Sequence, residues 1–366
     1  MKTYTCACGQ LIFFQNVICV ACGRELGFLP DVLRLSSLEE TGDGLFKANK
    51  VENRRYKKCL NYAKESVCNW MIPADGKPGQ TSDPFCVSCR LNQTIPDLSR
   101  RQNHDLWACM ELAKRRLLYS VLNLNLPAAN KTDDPRRGLA FAFLEDAAQP
   151  DGRVSKILTG HEDGLITLNI AEADDAVREK IRVSMGEPLR TLLGHFRHEI
   201  GHYYWDRLIR GTKYVDGFRE LFGDEQINYQ DALNRYYSSG APSNWQDSYI
   251  SAYATAHPWE DWAESWAHFM HIQDALETAN EFGLVGKSIC LYPNEFARKS
   301  SLSPSQIAFK EIIGAWTDLT IALNAVNRSM GLRDTYPFII STAAANKLGF
   351  ISEIVSAGTV ASVAAA

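Results

Sequence analysis

Residues 189–208 read LRTLLGHFRHEIGHYYWDRL. Apolar residues recur in this stretch at the three- and four-residue steps of an amphipathic helix: Leu192, Leu193, Phe196 and Ile200. We predict a helix over 188–210 that starts at Glu187-Pro188, because proline suits the first helical turn. On this helix His198 and His202 are one turn apart, so both imidazoles lie on one face and can reach one metal ion.

The same residues form the pattern H-E-x-x-H, which is typical of zinc peptidases. Glu199 follows the first histidine and can contact a water on the metal without being a ligand. The sequence therefore predicts that His198 and His202 bind a catalytic zinc and that Glu199 is the general base. The alternative is a helix that merely carries two histidines, and the apolar context of the pattern favours the zinc site.

A catalytic zinc needs a third protein ligand. The pattern H-E-x-x-H-x-x-G-x-x-H is excluded, because Trp205 and Leu208 stand where it requires Gly and His. Residues 251–271, SAYATAHPWEDWAESWAHFMH, predict a later helix that Pro258 opens. The general rule of two His plus one Glu favours Glu260 from this helix. The residues alone leave three rival ligands open: Asp261, Glu264 and His268.

Five residues here resemble the closing motif of the anthrax lethal factor type of gluzincin zinc peptidase: Tyr253, Glu260, Ala263, Glu264 and Trp266. The resemblance implies that Glu260 is the third ligand and that Glu264 orients a zinc-bound histidine. It also implies that Tyr253 stabilises the oxyanion, against the alternative of a tyrosine that only packs. His195 and His257 are weaker candidates for proton transfer, because such histidines are more often solvated or packed.

The N-terminal stretch CACGQLIFFQNVICVACG, residues 6–23, places four cysteines in two close pairs: Cys6, Cys8, Cys19 and Cys22. Two such turns can close a four-thiolate structural zinc site. A second set predicts a second structural zinc: Cys59, Cys68, Cys86 and Cys89. Exchange of pairs between the two sets stays open at this point. The two remaining cysteines, Cys109 and Cys290, are predicted to be buried small hydrophobes.

We predict an α+β chain with an N-terminal zinc-ribbon region and a mainly helical, zincin-like (gluzincin) domain that contains a small antiparallel sheet. The predicted segments are a ribbon at 1–29, a second Cys-rich segment and connection at 30–104, the metallopeptidase domain at 105–350 and a flexible tail at 351–366. The strand GLITLNI, residues 164–170, is proposed as the sheet edge to which an extended substrate adds.

Several stretches together resemble a bacterial family of zinc-binding metallopeptidases with an N-terminal zinc ribbon: the ribbon itself, NWMIPADG, CVSCRLNQTIPDLS, LGHFRHEIGHYYWDRL and HPWEDWAESWAHFMHI. The resemblance covers about residues 1–350. It implies a zinc-dependent peptidase with one catalytic and two structural zinc ions, but it names no substrate.

Composition narrows the class of protein. No apolar run is long enough for a membrane span or a signal peptide, which predicts a cytoplasmic protein without a membrane partner. A reducing compartment in turn favours metal-bound cysteines. The expected partners are a peptide or protein substrate and a protein bound through the ribbons. Residues 50–116 are basic within a chain of net charge -4, so the alternative is a nucleic-acid- or protein-binding regulator with a gated or inactive peptidase-like domain.

Overall fold

The computed structural model describes residues 2–74, 83–148, 154–185, 191–284 and 304–364. The chain forms two compact units. The first comprises Met1–Gly186 with Thr191–Phe196, and the second comprises Glu187–Arg190 with Arg197–Ala366. The predicted α+β class is confirmed, with strands in the N-terminal part followed by a mainly helical part.

All of the described strands belong to the first unit. They are β1 (Tyr4–Thr5), β2 (Leu11–Ile12), β3 (Leu26–Leu29), β4 (Arg34–Gly42), β5 (Leu45–Ala48), β6 (Tyr56–Lys58), β7 (Met71–Pro73), β8 (Asn92–Thr94), β9 (Ala140–Leu144), β10 (Ala147–Ala148), β11 (Val154–Ser155), β12 (Gly160–Glu162) and β13 (Leu165–Asn169).

Strands β3 to β7 form an antiparallel sheet in chain order. One buried cluster packs on it: Leu29, Leu38, Phe46, Ala48, Tyr56 and Met71. Strands β4 and β5 lie in the segment 30–104, which was predicted to hold a second Cys-rich part and a connection. They join at Asp43 and Gly44, whose φ angles of 55° and 70° suit a type I′ hairpin turn.

A four-stranded sheet in the order β12-β13-β9-β8 combines both kinds of pairing. The predicted antiparallel pairing is found between β12 and β13, whereas β13–β9 and β9–β8 are parallel. Parallel neighbours need a crossover, and between β8 and β9 the chain passes through the helix Arg101–Asn123. The proposal that GLITLNI is a sheet edge is wrong, because β13 lies between two strands with Ile166 and Leu168 fully buried.

The described residues form nine α-helices: α1 (Leu60–Ala63), α2 (Arg101–Asn123), α3 (Asp175–Met185), α4 (Leu192–Leu208), α5 (Val215–Phe222), α6 (Tyr229–Ser239), α7 (Pro258–Glu281), α8 (Pro304–Ser329) and α9 (Thr342–Ala364). Helix α4 contains the H-E-x-x-H pattern as predicted, and its proposed start at Glu187-Pro188 lies outside the described residues. Across the described part of the chain, no helix combines the length and apolar character that crossing a membrane requires.

Two predictions about single segments differ from the structure. Cys109 is exposed rather than buried, because it shares the solvent-facing side of α2 with Asp105 while Trp107 and Met110 face inward. Residues 351–364 continue helix α9 instead of leaving it as a tail, since Ile351 and Ile354 are buried and anchor its central part. Cys290 lies outside the described residues.

A buried ion pair joins α7 and α9 in the second unit. Lys347 Nζ lies 2.6 Å from Asp261 Oδ2 and also donates to the backbone carbonyl of Ser248 at 2.8 Å. Burial raises the pKa of Asp261 to about 7, and the ammonium of Lys347 opposes that rise. The ammonium is therefore the group that compensates a carboxylate removed from water.

Lys347→Met is expected to lower the free energy of unfolding of the second unit by about 3–5 kcal/mol, because it leaves Asp261 buried without its cation. Urea denaturation followed by circular dichroism measures this. Arg328→Ala, which removes an exposed ion pair with Asp334, is the control and is expected to change stability by less than about 1 kcal/mol. Equal effects of the two variants would contradict the assigned role of the buried pair.

Candidate metal centre

Helix α4 presents His198 and His202 on one face. Their ring centroids lie 5.0 Å apart, and both residues are buried. Trp259 packs on the His202 ring with centroids 4.6 Å apart. The i, i+4 spacing thus produces the paired imidazoles that the sequence predicts.

Gly201, between the two histidines, lets α7 approach α4 closely. A Cβ added to Gly201 would lie 3.0 Å from Ala263 Cα and 3.2 Å from Trp266 Cβ. Trp262 Nε1 donates a hydrogen bond of 2.9 Å to the Gly201 carbonyl. Any larger residue would push the helices apart, so the glycine allows α7 to bring its acidic first turn to the histidines.

Glu260, in the first turn of α7, completes a group of possible metal ligands. One ligand atom each from His198, His202 and Glu260 lies within 4.8 Å of the other two. Glu260 Oε2 is 3.0 Å from His198 Nε2, and Oε1 is 3.6 Å from His202 Nε2. Burial favours the neutral acid, but the two histidines outweigh it and hold the pKa of Glu260 well below its usual value.

The chemistry of this group fits a zinc ion. Two imidazoles and one carboxylate are the set of three protein ligands found in many catalytic zinc sites. Glu260 Oε2 is buried, and it lies 3.0 Å from His198 Nε2. A bound cation would suit this oxygen, since a buried carboxylate is costly without a compensating charge.

Glu264 lies one turn further along α7 and contacts the other nitrogen of His198. The distance from His198 Nδ1 to Glu264 Oε1 is 2.7 Å, and Ser251 Oγ donates to Oε2 of the same carboxylate at 2.6 Å. Burial disfavours the imidazolium form, but hydrogen bonds to Glu260 and Glu264 raise the pKa of His198 well above its usual value. A carboxylate on the second imidazole nitrogen fixes the ring orientation and the tautomer.

The rival ligands have other partners in the structure. Asp261 pairs with Lys347, as described above. His268 Nδ1 is 2.7 Å from the hydroxyl of Tyr336, and burial lowers the pKa of His268 to about 4. Glu264 contacts the outer nitrogen of His198. Among the acidic residues that the sequence leaves open, Glu260 is the one that joins both histidines.

The two predicted catalytic residues are Glu199 and Tyr253. Glu199 is buried on α4, directly after the first histidine. The Tyr253 ring packs 5.9 Å from the His198 ring. Burial, with a further contribution from Glu260, raises the pKa of Tyr253 far above its usual value, so its hydroxyl stays protonated and can donate.

Tyr229, the first residue of α6, contacts this centre although no sequence motif pointed to it. Its hydroxyl donates a hydrogen bond of 2.6 Å to Glu260 Oε1. Tyr229 precedes Glu260 by 31 positions and belongs to no local pattern, so only the tertiary structure reveals the contact.

His195 and His257, the weaker candidates for proton transfer, both contact other residues of the protein. His257 is the N-cap of α7, where Nδ1 accepts a hydrogen bond of 3.0 Å from the Trp259 backbone. His195 Nδ1 lies 2.5 Å from Glu172 Oε2 in the first unit. These contacts favour a role in folding over the proton transfer considered from sequence.

The first cysteine set comes together as a four-sulfur cluster: Cys6, Cys8, Cys19 and Cys22. The Sγ atoms of Cys6 and Cys22, and those of Cys8 and Cys19, are each 3.7 Å apart. Gly9 and Gly23 follow the two turns with φ angles of 92° and 73°, a conformation that favours glycine. The Arg24 backbone lowers the pKa of Cys22 to about 6, whereas contact with Cys22 and burial, opposed by the Gln10 backbone, raise the pKa of Cys8 to about 11.

The second set forms a separate, fully buried cluster: Cys59, Cys68, Cys86 and Cys89. Cys68 Sγ and Cys86 Sγ are 3.8 Å apart. Backbone N–H groups point at these sulfurs, as in the contacts of Trp70 N with Cys68 and of Cys86 N with Cys59. The exchange of cysteines between sets that the sequence leaves open does not occur in this structure.

Comparisons with known proteins give the family of the chain. The family model "Putative zinc-binding metallo-peptidase" matches residues 103–354, and a zinc-ribbon domain model matches residues 3–100. Proteins of Mycobacterium bovis and of two Mycobacterium tuberculosis strains, each titled uncharacterized, are 42% identical over 97% of this chain and 95% of their own length. No solved structure matches.

The peptidase model covers more than half of the chain and includes the whole α4–α7 centre, while the ribbon model includes both cysteine clusters. The chain therefore belongs to the family described as zinc-binding metallopeptidases and carries a zinc-ribbon domain before the peptidase region.

Proposed function

We propose that the protein is a gluzincin-like zinc peptidase that hydrolyses peptide bonds. The observation that carries the proposal is the convergence of His198, His202 and Glu260, whose ligand atoms lie within 4.8 Å of one another. Zinc held by these residues would act as a Lewis acid and lower the pKa of a water molecule to about 7. Two further zinc ions, bound by the cysteine clusters, are proposed to be structural.

The chain's own residues supply the remaining chemistry. Glu199 takes a proton from the attacking water as the new C–O bond forms, and it returns the proton to the amine as the C–N bond breaks. Tyr253 donates a hydrogen bond to the developing oxyanion. Glu264 keeps His198 in a fixed tautomer. The spacing of Tyr253, Glu260 and Glu264, like that in lethal factor type enzymes, supports the same roles.

Metal removal tests this function. We expect a chelator that removes the zinc of the histidine site to abolish cleavage of a mixed peptide library, and added zinc to restore it. Zinc per chain, measured by elemental analysis beside cleavage, is expected to fall from three to two. The control is the two zinc ions proposed at the cysteine clusters. They are expected to stay bound, because four thiolates hold zinc more tightly than the histidine site does. Cleavage that continues after the third zinc is lost would overturn the proposal.

A protein partner at the ribbon is favoured by exposed apolar side chains: Leu11, Phe13, Val17, Ile18 and Val20. Nucleic-acid binding is less favoured because three cations of the basic segment have partners within the protein. Lys114 is buried against Glu111, Arg115 donates to the Val67 carbonyl, and Lys58 pairs with Glu25. The proposed location is the cytosol, where reduced thiols persist.

A further inference from the structure

The two oxygens of Glu260 have different surroundings. Oε1 accepts the hydrogen bond of 2.6 Å from the Tyr229 hydroxyl. Oε2 lies 3.0 Å from His198 Nε2, whereas Oε1 is 3.6 Å from His202 Nε2. Tyr229 therefore holds the carboxylate through Oε1, while Oε2 is the oxygen nearer to the first histidine of the candidate metal centre.

The position of Tyr229 is fixed by its own surroundings. Asn228 caps α6 by accepting a hydrogen bond of 2.9 Å from the Asp231 backbone. The Tyr229 ring packs edge-on against His257 and Trp259, with centroids 5.1 Å and 6.0 Å away. These contacts aim the hydroxyl at Glu260.

The hydroxyl acts as a donor in this contact. A tyrosine hydroxyl is ordinarily protonated at neutral pH, and an ionised carboxylate can only accept a hydrogen bond. A hydrogen bond from a neutral hydroxyl to a carboxylate is stronger than one between two neutral groups. It restrains rotation of the Glu260 carboxylate while leaving the charge of that carboxylate for the metal.

We propose that Tyr229 is a positioning residue of the metal centre, which binds Glu260 through Oε1 and thereby presents Oε2 to the zinc. This inference rests on the proposed metal site and adds a residue outside both sequence motifs. The inference gives the two tyrosines different roles. Tyr253 is assigned to the substrate oxyanion and Tyr229 to the ligand Glu260.

Tyr229→Phe tests the inference, because it keeps the packed ring and removes only the hydroxyl. Helix α6 buries a single residue, Ala232, so the variant is expected to fold like the wild type. We expect zinc to bind about 10- to 100-fold more weakly at the histidine site, as found when other groups that orient metal ligands are removed. The measurement is competition of the holoprotein with a chelator of known zinc affinity, with zinc release followed per chain.

Tyr237→Phe is the matched control, since Tyr237 is an exposed tyrosine on the same helix, 62% accessible. Its zinc affinity is expected to equal that of the wild type. Unchanged affinity in Tyr229→Phe would overturn the inference, and so would a loss of kcat at unchanged affinity, which would place the hydroxyl on the substrate. If His202→Ala releases no more zinc than the wild type, the metal site itself is wrong and the proposed function fails with it.

Discussion

Glu199→Gln is expected to reduce peptide cleavage by about 10²- to 10⁴-fold while zinc content stays at the wild-type value. The amide has nearly the shape of the carboxylate but cannot take a proton from water, so the base is lost and the ligands remain. The measurement is kcat/KM on a cleaved library peptide beside zinc per chain.

His202→Ala is the matched comparison on the same helix. It is expected to lose both the third zinc and cleavage, because His202 is one of the three residues whose ligand atoms converge. The two variants together distinguish loss of the zinc ion from loss of the general base. Zinc loss in Glu199→Gln would show that Glu199 supports the metal, and wild-type cleavage in that variant would exclude it as the base.

Cys86→Ala is expected to remove one structural zinc and to unfold the zinc-ribbon domain, residues 3–100. Cys86 is buried in the second sulfur cluster, 3.8 Å from Cys68. Structural zinc sites contribute about 10–16 kcal/mol to folding, which is as large as the roughly 5–15 kcal/mol net stability of a typical domain. Zinc per chain and the rate of limited proteolysis measure the effect.

Cys109→Ala provides the control, because Cys109 is exposed on α2 and belongs to neither cluster. Its zinc content and protease resistance are expected to match the wild type. A Cys86→Ala protein that keeps all of its zinc would show that the second cluster is a group of buried thiols rather than a metal site.

Local patterns in the sequence predicted much of the candidate site. The apolar spacing around His198 and His202 predicted the helix and its metal-binding face, since both depend only on the 3.6-residue period. The paired spacing of Cys6 with Cys8, and of Cys19 with Cys22, likewise reflects turns of a few residues. Such features are fixed by neighbours along the chain.

Longer-range features were less accessible from sequence. The order of the strands placed GLITLNI inside its sheet, because its hydrogen-bonding partners come from elsewhere in the chain. Cys109 was expected to be buried but is exposed. Its exposure depends on which face of α2 packs inward, and the sequence does not show that face. Strands β4 and β5, in the segment predicted to include a connection, form because Leu38 and Phe46 have a core to pack on.

By itself, the sequence determined the helix with the H-E-x-x-H pattern, a later helix with acidic residues in its first turn and two sets of four cysteines, since each is a pattern of local spacing. The sequence favoured Glu260 over Asp261, Glu264 and His268, and the tertiary structure shows the different partners of these residues, which come from far along the chain. The tertiary structure also revealed Tyr229 on Glu260. Residues of the same chemistry thus acquire different roles from the helices and charges packed against them.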